Sequence, residues 1–202
     1  MSENTLIENG SDLAVIIGAR SAEELNTEGM SLLLVPVEED EWNTVLSPWK
    51  ADAVFPKTPA FEGGAKPFLE KLLPEAGKLK TSHPGRLFLC GYSLAGLFAL
   101  YACTESDLFD GCASLSGSLW YPGWDEWLRN HPVQCRAVYL SLGKREPCTK
   151  HPLMKTVGDK TELCREMISG YARTAFEWNE GGHFNDESLR LSKALSWLKE
   201  NS

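Results

Sequence analysis

The chain has 202 residues, 43% of them hydrophobic and 24% charged, and its 28 acidic against 20 basic side chains give a formal net charge of -8. That length fits one domain, residues 1–202, with a substantial core, and the acidic balance argues against nucleic acid or an anionic membrane as partner. No apolar run approaches the roughly 18 residues of a membrane span, and M-S-E-N-T-L-I-E-N-G lacks the layout of a signal peptide, so a cytoplasmic protein is expected.

The six cysteines (Cys90, Cys103, Cys112, Cys135, Cys148 and Cys164) show no C-x-x-C and no His/Cys ligand spacing. Reduced thiols and no metal are expected, with a Cys148–Cys164 bridge as the alternative.

In chain order, Leu13 to Gly18 reads as a strand that could pair with Thr5 to Glu8. Ser21 to Leu25, S-A-E-E-L, has capping-box spacing and predicts a short helix. Ser31 to Val37 is a second buried strand. Glu38 to Gly64 is a long irregular stretch rich in Pro, Trp and acids, the kind that is usually functional or mobile. Ala65 to Lys80 predicts a helix, with Pro67 in its first turn and a kink at Pro74.

H-P-G at His83 to Gly85 is a turn before the apolar run Leu87 to Cys90. Gly91, Tyr92 and Ser93 interrupt that run, and a helix follows from Leu94. Further on come a strand over Gly111 to Leu115, a short helix over Trp124 to Asn130 and a strand over Ala137 to Gly143. A helix over Lys160 to Tyr171, a strand over Thr174 to Trp178 and a closing helix over Asp186 to Lys199 complete the series. Short apolar strands alternating with helices imply an α/β fold: a mostly parallel central sheet covered by helices on both faces, compact and without room for a large lid. Sites in such sheets form beyond the carboxyl ends of the strands.

Strand, sharp turn and helix with Ser93 at the turn is the context of a nucleophile elbow. The tight turn exposes the hydroxyl and requires small residues two before and two after. Gly91 meets that requirement; Ala95 departs from the usual glycine by one methyl, with Gly96 next to it. A serine nucleophile needs a base, and the base needs an acceptor that fixes its tautomer. His183, in N-E-G-G-H-F-N-D after the last strand, has two glycines to aim its ring; His151 is second choice. His83, His131 and His151 each precede a proline. For the acid, Glu146 lies three residues past the end of the Ala137–Gly143 strand. Asp159 is an alternative, more simply explained by a helix start, and a dyad without an acid is a third. The order serine, acid, histidine is that of the α/β-hydrolase arrangement.

The segments G-Y-S-L-A-G-L-F-A-L-Y-A from Gly91, S-G-S-L-W-Y from Ser116, L-G-K-R-E from Leu142 and G-G-H-F from Gly182 resemble α/β-hydrolases of the esterase-D-like branch, which includes siderophore esterases and formylglutathione hydrolases. The resemblance covers the second half of the chain; the first half matches in layout. It implies Ser93 as nucleophile, Glu146 as acid and His183 as base, and hydrolysis of a small-molecule ester through an acyl-enzyme without a cofactor. No G-x-G-x-x-G or P-loop points to a nucleotide. Thioesterase, acyltransferase or a non-catalytic binding protein on the same fold are the alternatives.

The oxyanion is expected to be held by the N–H of Leu94 and one from Glu38 or Glu39, past the second strand. Trp42, Trp49, Trp120, Tyr121 and Trp124 either overlook Ser93 or pack in the core. Trp42, Trp120 and Tyr92 are the residues expected against substrate. The run Glu38 to Glu41 reads as a solvated loop; facing the site, it would disfavour anionic substrates.

Overall fold

A computed structural model describes residues 3–54 and 56–202. Met1 and Ser2 of the N-terminal segment, and Phe55 of the irregular stretch, lie outside the described residues. The elements are β1 (Thr5–Ile7), β2 (Leu13–Ile17), β3 (Ser31–Val35), α1 (Trp42–Val45), β4 (Lys50–Ala51), β5 (Phe61–Glu62), α2 (Ala65–Ser82), β6 (Leu87–Tyr92), α3 (Leu94–Glu105), β7 (Gly111–Leu115), α4 (Trp124–Asn130), β8 (Ala137–Gly143), α5 (Val157–Ser169), β9 (Arg173–Asn179) and α6 (Glu187–Asn201).

Seven strands form one sheet in the order β1-β3-β2-β6-β7-β8-β9, with β1 antiparallel to β3 and every other pair parallel. The core strands read as unbroken apolar runs because both faces are covered. Side chains alternate across the sheet, so Leu13, Val15, Leu33, Leu87 and Leu89 enter one core with α2, α3, α4 and α5. Ala14, Ile16, Leu32, Phe88 and Cys90 enter the other, against Leu191, Ala194, Leu195 and Leu198 of α6. Burying each of those leucines stabilises the fold by roughly 1.5–3 kcal/mol. α3 is buried from Leu94 to Thr104. A helix enclosed on all sides has no use for a polar face, which explains why the sequence from Leu94 to Cys103 carries no charge.

The strand order places the site. The chain adds β3 and β1 on one side of β2, then β6, β7, β8 and β9 on the other. Loops leaving the carboxyl ends of β2 and β6 therefore diverge and open a crevice between them, the switch point at which such sheets bind ligands.

Several boundaries differ from expectation. Thr5–Ile7 pairs with β3, because both edges of β2 are taken by β3 and β6. Ser21 to Leu25 is a turn instead of a helix: Glu23 N–H donates to Ser21 Oγ at 3.2 Å and Leu25 N–H to Ala22 O at 3.0 Å. Glu24, whose carboxylate would close the capping box, instead accepts from Ser188 of α6. The stretch from 38 to 64 holds α1 and the small β4–β5 pair. Pro74 lies inside α2, whose buried Leu69, Leu72 and Ala76 hold it to the core on either side of that residue. α5 starts at Val157, a turn before the expected Lys160.

All six cysteines are free; Cys148 is exposed and the other five are buried, so no bridge joins Cys148 to Cys164. The thiols of Cys103, Cys112 and Cys135 lie together in the core, within 4.8 Å of one another. Among the described residues no helix is long and apolar enough to cross a membrane.

Candidate active site

Ser93 stands between β6 and α3 with φ 59° and ψ -123°. That conformation costs a non-glycine residue on the order of 1–3 kcal/mol and persists only where its surroundings enforce it. They do so here through Ser93 N–H donating to Leu115 O at 2.9 Å, and Ser93 O accepting from Gly96 N–H at 3.0 Å and Ser118 N–H at 3.1 Å. The turn is so tight that a Cβ on Gly91 would stand 2.2 Å from Ala95 O. On the far side the close approach falls at Gly96, where a Cβ would come within 2.9 Å of Ser114 Oγ and 3.2 Å of Gly117 Cα. Ala95 itself packs in the core. The shift of the glycine by one position is why the methyl of Ala95 does no harm.

Three side chains expected together lie in one line. His183 Nε2 is 3.0 Å from Ser93 Oγ, and His183 Nδ1 is 2.7 Å from Glu146 Oε2. Glu146 sits on a single 3-10 turn, Glu146–Cys148, after β8, and its Oε1 accepts from Ser116 Oγ at 2.6 Å and from Gly143 N–H at 2.7 Å. The loops carrying acid and base are joined by Lys144 N–H to Asn179 O and Arg145 N–H to Gly181 O, both at 2.9 Å. The histidine loop turns at Gly181, where φ is 86°, and Asn185 Oδ1 accepts from Gly182 N–H. Tyr92 donates its hydroxyl to His183 O.

Burial pushes the Glu146 carboxyl up, but hydrogen bonds from His183, Ser116 and Gly143 N–H outweigh it, and the acid is held below its ordinary value. It therefore stays ionised beside His183 at neutral pH. Burial raises the Tyr92 phenol, with Ser116 and Arg190 opposing, so Tyr92 remains a neutral donor.

Arg190 of α6 is the residue that sequence reasoning missed. Its side chain is 0% exposed. Nη1 donates to Ser116 Oγ at 2.7 Å, Tyr92 Oη at 2.9 Å and Glu146 Oε1 at 3.3 Å, while Nη2 donates to Gly182 O at 2.9 Å and Glu180 O at 3.3 Å. One guanidinium thus ties the strand before the nucleophile to the loops of acid and base. The signal was present in the spacing: Arg190 is four residues before Ala194 and eight before Leu198, on the apolar stripe of α6. Ser116, inside the S-G-S-L-W-Y segment, is likewise a partner of the acid whose role the sequence did not disclose.

Leu94 is the first residue of α3, so its N–H has no acceptor within the helix and lies beside Ser93. The expectation for Glu38, and for Glu39, is corrected. Both follow β3, which β2 separates from β6, and Glu38 pairs with Arg20. The loop next to the nucleophile is the one after β2. There Gly18 N–H is occupied by Val35 O, whereas Ala19 N–H makes no hydrogen bond among the described residues and lines the same cleft as Ser93.

Two clefts meet at Ser93 and His183. The larger, about 400 Å³, is walled by Ile16, Leu25, Trp42, Tyr92 and Phe184. The smaller, about 250 Å³, is walled by Ser116, Ser118, Trp120, Arg145 and Met154. Trp42 covers Gly18 so closely that a Cβ there would stand 2.6 Å from its ring. Tyr92 faces the larger cleft with its ring, but its hydroxyl is committed to His183 and Arg190. The remaining aromatics lie elsewhere: Trp49 donates to Pro122 O, Tyr121 to Trp49 O, and Trp124 is wholly buried. Asp159 is exposed in the first turn of α5, and His151 Nε2 contacts Val54 O, so neither joins the group. Residues 38–41 line neither cleft.

No protein-family model matches the chain, and no curated protein matches it. Solved structures do. The siderophore hydrolase EstA from Aspergillus nidulans superposes with a TM-score of 0.66 at 18% identity, over 96% of this chain and 84% of that one. The enterobactin esterase FES from Shigella flexneri gives 0.68 at 18%, over 98% of this chain and 59% of that one. An S-formylglutathione hydrolase from Agrobacterium tumefaciens gives 0.57 at 13%, over 96% and 85%. The chain has the α/β-hydrolase fold.

Proposed function

We propose that the protein is a serine hydrolase of small carboxylic esters. The observation that carries this reading is the unbroken hydrogen-bonded line from Ser93 through His183 to Glu146, at 3.0 and 2.7 Å. His183 Nε2 takes the Ser93 proton as Oγ attacks the ester carbonyl. Glu146 fixes the tautomer and stabilises the imidazolium that forms. The oxyanion is received by the N–H groups of Leu94 and Ala19, each worth on the order of 3 kcal/mol in such sites. Collapse of the tetrahedral species expels the alcohol, which takes the proton from His183. Water activated by the same imidazole then attacks the acyl-serine and releases the acid. Ser93 and His183 are both half-buried, so substrate and water reach them without a lid having to move.

Mass spectrometry after exposure to an alkyl fluorophosphonate tests this. One adduct is expected on Ser93, absent in Ser93→Ala and strongly slowed in His183→Ala. Labelling that persists unchanged in Ser93→Ala overturns the assignment.

A further inference from the structure

The two clefts at Ser93 differ in charge. The larger is apolar apart from small hydroxyls and Glu187 at its rim. The smaller holds Arg145, and Arg145 forms no ion pair among the described residues, whereas its neighbour Lys144 is paired with Glu180. Glu146, the acid of the same cleft, is already compensated by His183 and Arg190. Ser118 also lines the smaller cleft. It is 4% exposed, and its hydroxyl makes no hydrogen bond among the described residues although its own N–H is fastened to Ser93 O. That hydroxyl keeps contact with solvent in the cleft, so whatever enters there can serve as its hydrogen-bond partner. An exposed arginine with no ion pair among the described residues and a hydroxyl open to the cleft thus share one pocket that reaches the reacting serine.

We propose that the smaller cleft is a carboxylate-binding subsite, so that the esters hydrolysed best carry a short arm ending in a carboxylate on one side of the scissile bond and an apolar or aryl arm on the other. This rests on the esterase reading above and specifies its substrate class. Arg145 supplies the charge and Ser118 a hydrogen bond nearer the carbonyl. The planar guanidinium suits a carboxylate, which it can bind through two parallel N–H groups. The volume of about 250 Å³ corresponds to roughly eight water molecules, enough for an arm of a few heavy atoms. Glu187 at the mouth of the larger cleft repels the charged end and sets the direction in which the ester lies.

Two pairs of probes test this in either orientation. Benzyl hemiglutarate against benzyl pentanoate places the carboxylate on the acyl arm; 3-carboxypropyl phenylacetate against butyl phenylacetate places it on the alcohol arm. For at least one pair the charged ester is expected to have a kcat/KM roughly 2- to 5-fold above its neutral partner, the range of an ion pair at an exposed arginine. Arg145→Gln should bring that ratio close to one, and Arg145→Lys should retain part of it. Ratios at or below one for both pairs in the native protein, or a ratio unmoved by Arg145→Gln, overturn the proposal. Calorimetric binding of the same four compounds to Ser93→Ala repeats the comparison without turnover. A charge preference that disappears on adding Arg145→Gln supports the subsite even if no ester is cleaved; equal affinities refute it even if every ester is.

Discussion

Replacing Arg190 by Met removes a guanidinium with five contacts and keeps a side chain of similar reach. Glu146, 5% exposed, would lose its neighbouring fixed cation, and Ser116 and Tyr92 would lose a donor. The carbonyls of Gly182 and Glu180 would lose theirs as well. Breaking a buried ion pair by removing one partner typically costs 3–5 kcal/mol, against a total of about 5–15 kcal/mol for a domain. With a urea slope of about 2 kcal/mol/M, the unfolding midpoint should fall by roughly 2 M. Arg190→Lys should lie between, because an ammonium keeps the charge but cannot present two donors on each side of a plane. The assay is urea unfolding followed by fluorescence, alongside kcat/KM for a neutral ester below the transition. A midpoint for Arg190→Met within about 0.3 M of the native protein would show that the guanidinium does not hold these loops together. Loss of activity at full stability would reassign it to the chemistry.

Glu146→Gln should leave the fold intact at neutral pH while lowering kcat by two to four orders of magnitude, since an amide cannot accept from His183, Ser116 and Gly143 together without turning a donor toward one of them. The pH dependence of its stability follows from the lowered pKa of Glu146. A carboxyl depressed on folding contributes stability that is complete above its unfolded value of about 4.3 and is lost as the pH falls through the folded one. The stability gap between the native protein and Glu146→Gln should therefore narrow below about pH 4; a gap independent of pH would contradict the assignment. Gly91→Ala should unfold at markedly lower urea and lose fluorophosphonate labelling, because its Cβ would meet Ala95 O at 2.2 Å. Gly18→Ala is expected to displace Trp42 and raise KM for aryl esters with a smaller effect on kcat, as read from steady-state kinetics.

Local chemistry was legible along the chain; spatial order was not. The elbow could be read because β6, the turn and α3 are consecutive, and the loops of Glu146 and His183 because each directly follows a strand. The second oxyanion donor was misplaced for a reason of topology. Counting strands along the chain put it after β3, but the crossover sets β2 beside β6 and brings Ala19 to the crevice instead of Glu38. The aromatics divided in the same way. Trp42 and Trp120 line the clefts at Ser93, whereas Trp49 packs edge-on against Tyr121 and Trp124 is buried in the core, and composition alone does not distinguish a tryptophan over a crevice from one under it. Arg190 escaped notice because a charged residue on a surface helix is ordinarily solvated.

Cys148 lies two residues past Glu146 and is exposed while the other five thiols are enclosed. Burial raises the thiols of Cys90 and Cys164 to about 12, which further suppresses their thiolates. The chain therefore carries a natural point of attachment: a maleimide dye or spin label added under native conditions would settle at one place, on the residue next to Thr149 of the smaller cleft. From there it could report occupancy of that cleft in real time, with no engineered cysteine and no change to the groups beneath.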